Sequence, residues 1–460
     1  MLRTPAPTDP ARAASAPDLL AWACAIGCCA ALTALFAPGF MSPDSVWQLD
    51  MARHGDVSDW HPPMMAVLWR ALDVVAPGPI GLLVLQNAIL FGGLALLVCA
   101  RARPSWRAPL VLAAALHPPV WGLLSTVWKD VLLGATLLLA AALLVRAERA
   151  SARPSRAALP LLCLALALRY NALFAVAPLC FWWARLVVHA QPGLALLPQP
   201  LAGPGRLGAL ATAALLCASL GVNRALTDQR SFPEQQVWLH DLTGISLGVG
   251  RVLFPAYLVD RDPPATLEAL ARLYQPGLAD SITLGPLHPL TADARNRGAL
   301  FRAWLGAIAR HPLLYLEHRL GLAALLWGTA PRTPETPYHW GVIPNQLGVR
   351  FSETPLSEAA HRLLERAAGT PLFAGWPIAA VLALGLWLGW RRRLPGLACL
   401  AASGLSYQLS NVFLAPVTDF RYQWWSHLAA LAVLLLAATP GADRAQGVIT
   451  RMVPSPDSAT

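Results

Sequence analysis

The strongest constraint on this chain is a set of long apolar runs without formal charge. Ile80 to Ala100, Val131 to Val145, Leu207 to Val222, Leu372 to Trp390 and Trp424 to Ala438 are the plainest. Each approaches the length that crosses about 30 Å of hydrocarbon as a helix. Composition agrees, since 56% of the residues are hydrophobic and 13% charged, against roughly 25% charged in soluble domains. An earlier run, Leu19 to Ala37, ends in Ala-Pro-Gly-Phe. It lacks a small-residue cleavage site and reads as a retained helix, not a removed signal peptide. The expected fold is all-α, a polytopic transmembrane bundle of about 10 or 11 spans with outer-face loops and juxtamembrane helices.

Orientation follows from the arginines, because basic short loops mark the cytoplasmic face. Arg3 and Arg12 precede the first run, and Arg101, Arg103 and Arg107 follow the second. Arg146, Arg149, Arg153 and Arg156 follow the third, and Arg391 to Arg393 form another cluster. With these inside, the expected order begins with a cytoplasmic tail (1–17) and an N-terminal membrane module (18–222) whose first outer loop is 38–62. An outer loop region (223–311), a C-terminal membrane module (312–439) with outer segment 329–370, and a cytoplasmic tail (440–460) follow. Pro63 to Val75 is short for a span, and Pro312 to Gly328 either lies along the membrane or re-enters it. The expected location is the cell (inner) membrane, multi-pass.

All eight cysteines fall inside apolar stretches, so neither a disulfide framework nor a metal-ligand spacing is present. The net charge of +10 is spread among the spans and forms no basic stripe, which excludes a nucleic-acid partner.

The polar residues concentrate on the outer face. In Ser42-Pro43-Asp44-Ser45-Val46-Trp47-Gln48, the Ser suits an N-cap and Pro43 the first helical position, while Gly55 supplies a stop. Asp44 then sits in the first turn of a short juxtamembrane helix, where the dipole favours a carboxylate, and Gln48 follows on the same face. Asp44 either completes a helix start or is a catalytic carboxylate. Asp59-Trp60-His61 comes next, an acid two residues before an imidazole at the edge of an apolar segment. It reads as a phosphate or metal contact, or as a polar stop with an interfacial Trp.

Trp128-Lys129-Asp130 carries a signal internal to this chain. Lys129 is the only lysine, and the other 34 basic residues are arginine. A compact ammonium on the outer side suits a phosphate; an ion pair with Asp130 is the alternative. Arg169-Tyr170-Asn171 interrupts the apolar run from Ala157 to Ala184, and a charge there requires a partner or a water-filled cavity. Asp419-Phe420-Arg421-Tyr422 leads into the last helix, offering a charge and ring faces. His240-Asp241 lies in the long outer loop, which is expected to cover the cavity.

Together these segments resemble the landmarks of the GT-C superfamily of membrane glycosyltransferases, most nearly bacterial relatives of the protein mannosyltransferase and lipid A aminoarabinose transferase group. The resemblance covers roughly Leu19 to Ala438. It implies transfer of a sugar from a polyprenyl-phosphate donor to a lipid, glycan or protein acceptor at the outer face, with inversion. It also implies Asp44 as the base or the group orienting the acceptor. Lys129, Arg169 and Arg421 would receive the donor phosphate. Gln48, His61, Asp130, Asn171, His240, Asp419 and Tyr422 would contact substrate. The acidic pair of better-known members is not plain here, since Ser45 follows Asp44; Asp50, Asp59 and Asp241 are the candidates for the second carboxylate. No motif demands a cofactor, and a divalent metal ion stays open. A flippase or transporter of a lipid-linked saccharide, or a sugar-polymer ligase, would share the membrane architecture. No internal repeat of the kind transporters show is present.

Overall fold

The computed structural model describes residues 15–190, 203–331 and 337–439. Among them the chain is helical, with isolated β-bridges and no strand. It runs α1 (Ala16–Phe36), α2 (Pro43–His54), α3 (Met64–Asp73), α4 (Ile80–Arg101), α5 (Arg107–Leu116), α6 (Pro118–Leu124), α7 (Lys129–Arg149), α8 (Ala158–Leu168), α9 (Leu173–Ala190) and α10 (Pro204–Leu226). Next come α11 (Gln235–Val249), α12 (Ala256–Val259), α13 (Leu267–Leu273), α14 (Asp280–Thr283) and α15 (Ala294–Arg310). The chain ends with α16 (Pro312–Trp327), α17 (Pro355–Ala368), α18 (Gly375–Arg391), α19 (Pro395–Leu414) and α20 (Trp424–Ala438). The 440–460 tail and most of the 1–17 tail lie outside the described residues.

Among the described residues, six helices are long and apolar enough to cross a membrane: α1, α4, α7, α9 counted from Tyr170, α10 and α19. The remaining apolar helices are shorter. α8, α16, α18 and α20 have 11, 16, 17 and 15 residues, against about 20 for a full crossing. The bundle is therefore helical and membrane-scaled, with fewer full-length helices than the 10 or 11 spans expected.

Its centre is α7. The protein buries 83% of the apolar window of α7 but only 11% of that of α10, so α10 is peripheral and offers its apolar sides outward. α7 packs against α4, α8 and α20. Small residues set these distances, as between membrane helices generally. A Cβ on Gly93 of α4 would stand 3.0 Å from the Leu139 backbone, and one on Gly134 would stand 2.5 Å from the Trp424 ring.

Local signals explain the element ends. Pro43 opens α2 and Gly55, at φ 88°, closes it, a conformation that costs glycine little. α10 runs to Leu226, beyond the Asn223 where the outer loop was expected to begin. Helices α11 to α15 form a cap with its own apolar core, including Leu239, Leu242, Ile245, Leu270 and Leu300. The cap leans on the bundle through contacts of α11 with α16.

Candidate functional site

The chain just before α2 is held on both sides. Phe40 N–H donates to Ser125 O at 2.8 Å and Val127 N–H to Phe40 O at 3.0 Å, while Met41 N–H donates to Gly341 O at 3.0 Å. Ser42 does not cap α2 with its side chain. Its hydroxyl accepts from Trp128 Nε1 at 2.8 Å instead, and Ser45 donates to Val127 O at 2.8 Å. The first turn of α2 is thereby fixed to the start of α7, which brings Asp44 to Lys129.

Three cations from three segments meet there. Arg421 Nη1 lies 2.6 Å from Asp44 Oδ2, and Arg421 Nε lies 2.9 Å from Asp419 Oδ2. The Arg421 guanidinium also stands 4.8 Å from the Trp128 ring centroid. Lys129 Nζ donates to His61 Nδ1, and His61 Nε2 lies 3.5 Å from Asp44 Oδ1. With Lys129 as the donor, Nδ1 accepts and the imidazole proton sits on Nε2, toward Asp44. Arg169 occupies the break between α8 and α9 in an extended conformation. It pairs with the buried Asp130 and lies 4.2 Å over the Tyr422 ring. Asn171 donates to Asn411 Oδ1 at 2.9 Å, and Asn411 donates to Tyr422 O at 2.7 Å, locking this break to α19 and the Arg421 segment.

Asp44, Asp59, His61, Lys129, Asp130, Arg169, Asn171, Arg421 and Tyr422 line one cavity of about 620 Å³. Asp59 also accepts from Ser231 N–H, tying the loop between α2 and α3 to the segment that leads into α11. Gln48 is buried one turn behind Asp44 and donates to Asp44 O at 3.2 Å. Asp419 reaches the cavity through its pair with Arg421. Asp50 lies apart, 3.0 Å from His54 on an exposed face.

His240 and Asp241 are not brought to the cavity. Both are fully buried in the cap. Asp241 is held by Arg319 Nε at 2.7 Å, Arg319 Nη2 at 2.9 Å, His318 Nε2 at 3.2 Å and Trp304 Nε1 at 2.8 Å. His240 Nε2 meets Gln275 O at 3.0 Å. A carboxylate enclosed in this way, with no exposed surface, docks helices and cannot be reached by an acceptor.

The cap instead contributes residues that no sequence motif had singled out. Arg230, Phe232, Gln236 and Arg297 line the cavity, with the Arg297 guanidinium 3.4 Å over the Phe232 ring. Gln236 donates to Asp280 Oδ1, placing another carboxylate behind the wall. Their only sequence signal was the arginine content of the long outer loop.

The electrostatics separate the groups. Burial pushes Asp44 upward, but Arg421, His61 and Lys129 prevail and hold it well below the usual carboxylate range. Arg421 is raised further, because Asp44 and Asp419 outweigh its burial. His61 falls to about 4, through burial and then Lys129. Asp280 rises to about 6, through burial and then the charge of Asp44. The site thus joins an ionised carboxylate, a neutral imidazole, the guanidinium groups of Arg169 and Arg421, the buried Lys129 amine and one carboxyl poised near neutrality. Among the described residues, no group of three His, Cys, Asp or Glu side chains converges as a metal site.

Comparison with protein-family models, curated proteins and solved structures finds no match for this chain.

Proposed function

We propose that the chain is a glycosyltransferase of the cytoplasmic (inner) membrane that moves a sugar from a polyprenyl-phosphate donor to an acceptor on the outer face. In this reading the shorter helices α8, α18 and α20 also cross, and the arginine-rich ends face the cytoplasm. One observation carries the proposal: Lys129, Arg169 and Arg421 converge beside Asp44 in one cavity. Fixed cations in a cavity with restricted water stabilise the charge that develops on a departing phosphate.

The acceptor oxygen bonds to the anomeric carbon as the bond from that carbon to the phosphate oxygen breaks. The electron pair leaves on the polyprenyl phosphate, and the acceptor proton passes to the Asp44 carboxylate, which lines the cavity. Asp44, held ionised by Arg421, orients the acceptor hydroxyl; its low proton affinity makes it a weaker base than a carboxyl near neutrality. Tyr422, Trp60 and Phe232 supply ring faces for the sugar or the lipid.

The test is transfer of labelled sugar from polyprenyl-phosphate donors in membranes carrying the intact chain or Asp44→Asn at matched abundance. Transfer that the substitution abolishes sustains the proposal. Movement of lipid or solute across the bilayer, with no donor turnover in either sample, replaces it with transport.

A further inference from the structure

The other end of the bundle has a cavity of its own. α7 carries Lys129 at its start and Arg149 at its end, about 30 Å apart at 1.5 Å per residue. Around Arg149, the ends of α4, α7 and α9 and the turn before α19 enclose about 660 Å³. Its charged and imidazole lining is Arg101, Arg149, Arg185, His189, Arg393 and Glu148, four guanidinium groups against one carboxylate. Two of the arginines are fixed on helix-end carbonyls: Arg149 Nη1 donates to Ala100 O, and Arg101 Nη2 to Thr439 O at 3.0 Å.

A second cavity, of about 860 Å³, begins at the same Arg101. It rises between α4, α5 and α20, walled by residues such as Leu94, Leu97, Leu431 and Leu435, and ends at His117. Leu435 lines this groove and its neighbour Leu436 lines the basic pocket, so the two are adjacent along α20 as well as at Arg101. Arginines that serve orientation alone need only lie in the headgroup layer. Here they converge on a pocket joined to an apolar groove, which matches a charged head and an acyl tail. Basic pockets between membrane helices take anionic lipid headgroups, and both volumes fall within the roughly 300–1,000 Å³ of ligand sites.

We propose that this face binds one anionic phospholipid, with its phosphate in the pocket of Arg149, Arg185 and Arg393 and an acyl chain in the groove behind Arg101. A free phosphate would leave the groove unused. A sugar donor would have to reach Asp44 at the far end of α7. The proposal stands independently of the transfer reaction.

Native mass spectrometry of the intact detergent-purified chain tests it, with phosphatidylglycerol and phosphatidylcholine as probes. One phosphatidylglycerol is expected to survive activation that strips phosphatidylcholine. Arg185→Gln with Arg393→Gln should weaken it about thirtyfold, at roughly fivefold per arginine. Arg391→Gln with Arg392→Gln, outside the pocket, should leave it unchanged. Ala113→Trp, which fills the groove, should also release the lipid; Ala113→Leu serves if the larger side chain prevents folding. Equal retention of the two lipids overturns the proposal, as does indifference to the paired substitution. Insensitivity to both groove substitutions, or displacement by inorganic phosphate alone, would reduce the site to a simple anion pocket and overturn it too.

Discussion

At Asp44 two pulls oppose. Burial favours the neutral acid, while Arg421, His61 and Lys129 favour the carboxylate and win. If the carboxylate orients an acceptor, Asp44→Asn should lower sugar transfer at least about 100-fold, with donor binding little changed because Lys129, Arg169 and Arg421 remain. Initial-rate measurements against donor concentration separate the two effects. His61 and Asp280 make a second prediction, about pH. His61 is held near 4 when folded and rises to about 6.5 on unfolding, so its contribution is lost as pH falls from 6.5 toward 4. Asp280 is held near 6 and drops to about 3.9 on unfolding, so its contribution is lost as pH rises from 3.9 through 6. The two slopes oppose each other in the wild-type chain. Relative to the wild-type profile, Asp280→Asn should therefore steepen the loss of stability on acidification, and His61→Gln should flatten it. Each change should be on the order of 2–3 kcal/mol across the window, read from thermal unfolding in detergent at a series of pH values.

The break between α8 and α9 is an element whose purpose is charge. Arg169 interrupts an apolar run to reach Asp130, which is 2% exposed. Arg169→Gln would leave that carboxylate buried without its counterion, at a cost of about 3–5 kcal/mol. Adding Asp130→Asn should recover most of the loss, because the neutral pair needs no counterion. A thermal-unfolding series of the two single variants and the double variant checks this. An additive result would mean that the two side chains do not act as a pair. This break was legible from the sequence, as were the ends of α2 and α20, because each is marked by a cap residue, a proline or a change in polarity. The length of each helix was not, because an apolar run announces burial in helix but not how far proline and charge will shorten it. Asp280, Arg230 and Arg297 were illegible for another reason. Asp280 sits behind the cavity wall on α14, a helix of four residues too short to carry periodicity, and Arg230 and Arg297 meet the cavity only through the tertiary packing around Phe232. His240-Asp241 misled in the opposite direction, since adjacency of an acid and an imidazole says nothing of the Arg319 that arrives from the following helix.

The whole molecule depends on how the cap is held over the bundle. Asp241 of α11 is fully buried against Arg319 of α16, itself 1% exposed. Burial opposes its ionisation, but His318 and Arg319 hold it below the usual range. Arg319 also donates to Ala415 O at 3.1 Å. Just beyond, Ala279 N–H donates to Pro416 O at 2.9 Å and Thr418 N–H to Gly277 O at 3.0 Å. One guanidinium therefore joins the cap, α16 and the segment that ends at Arg421. Gly244 of α11 leaves the room that His318 of α16 fills, since a Cβ there would stand 2.4 Å from His318 Nδ1, so the lock depends on a missing side chain as well as charge. Arg319→Met would strand the carboxylate and weaken the docking by about 3–5 kcal/mol, while the apolar bundle, which does not use this pair, stays folded. Limited proteolysis should then cut the cap faster, between residues 250 and 293, with helical content nearly unchanged. If the cavity holds the proposed donor, its binding should weaken in parallel, because the cap and the segment leading into it supply Arg297 and Arg230 to the cavity. Asp241→Asn together with Arg319→Met should slow cleavage again, since it removes the stranded charge. If cleavage in Arg319→Met matches the wild-type rate, the cap is held by its apolar contacts with α16 and the ion pair serves the segment leading to Arg421 instead.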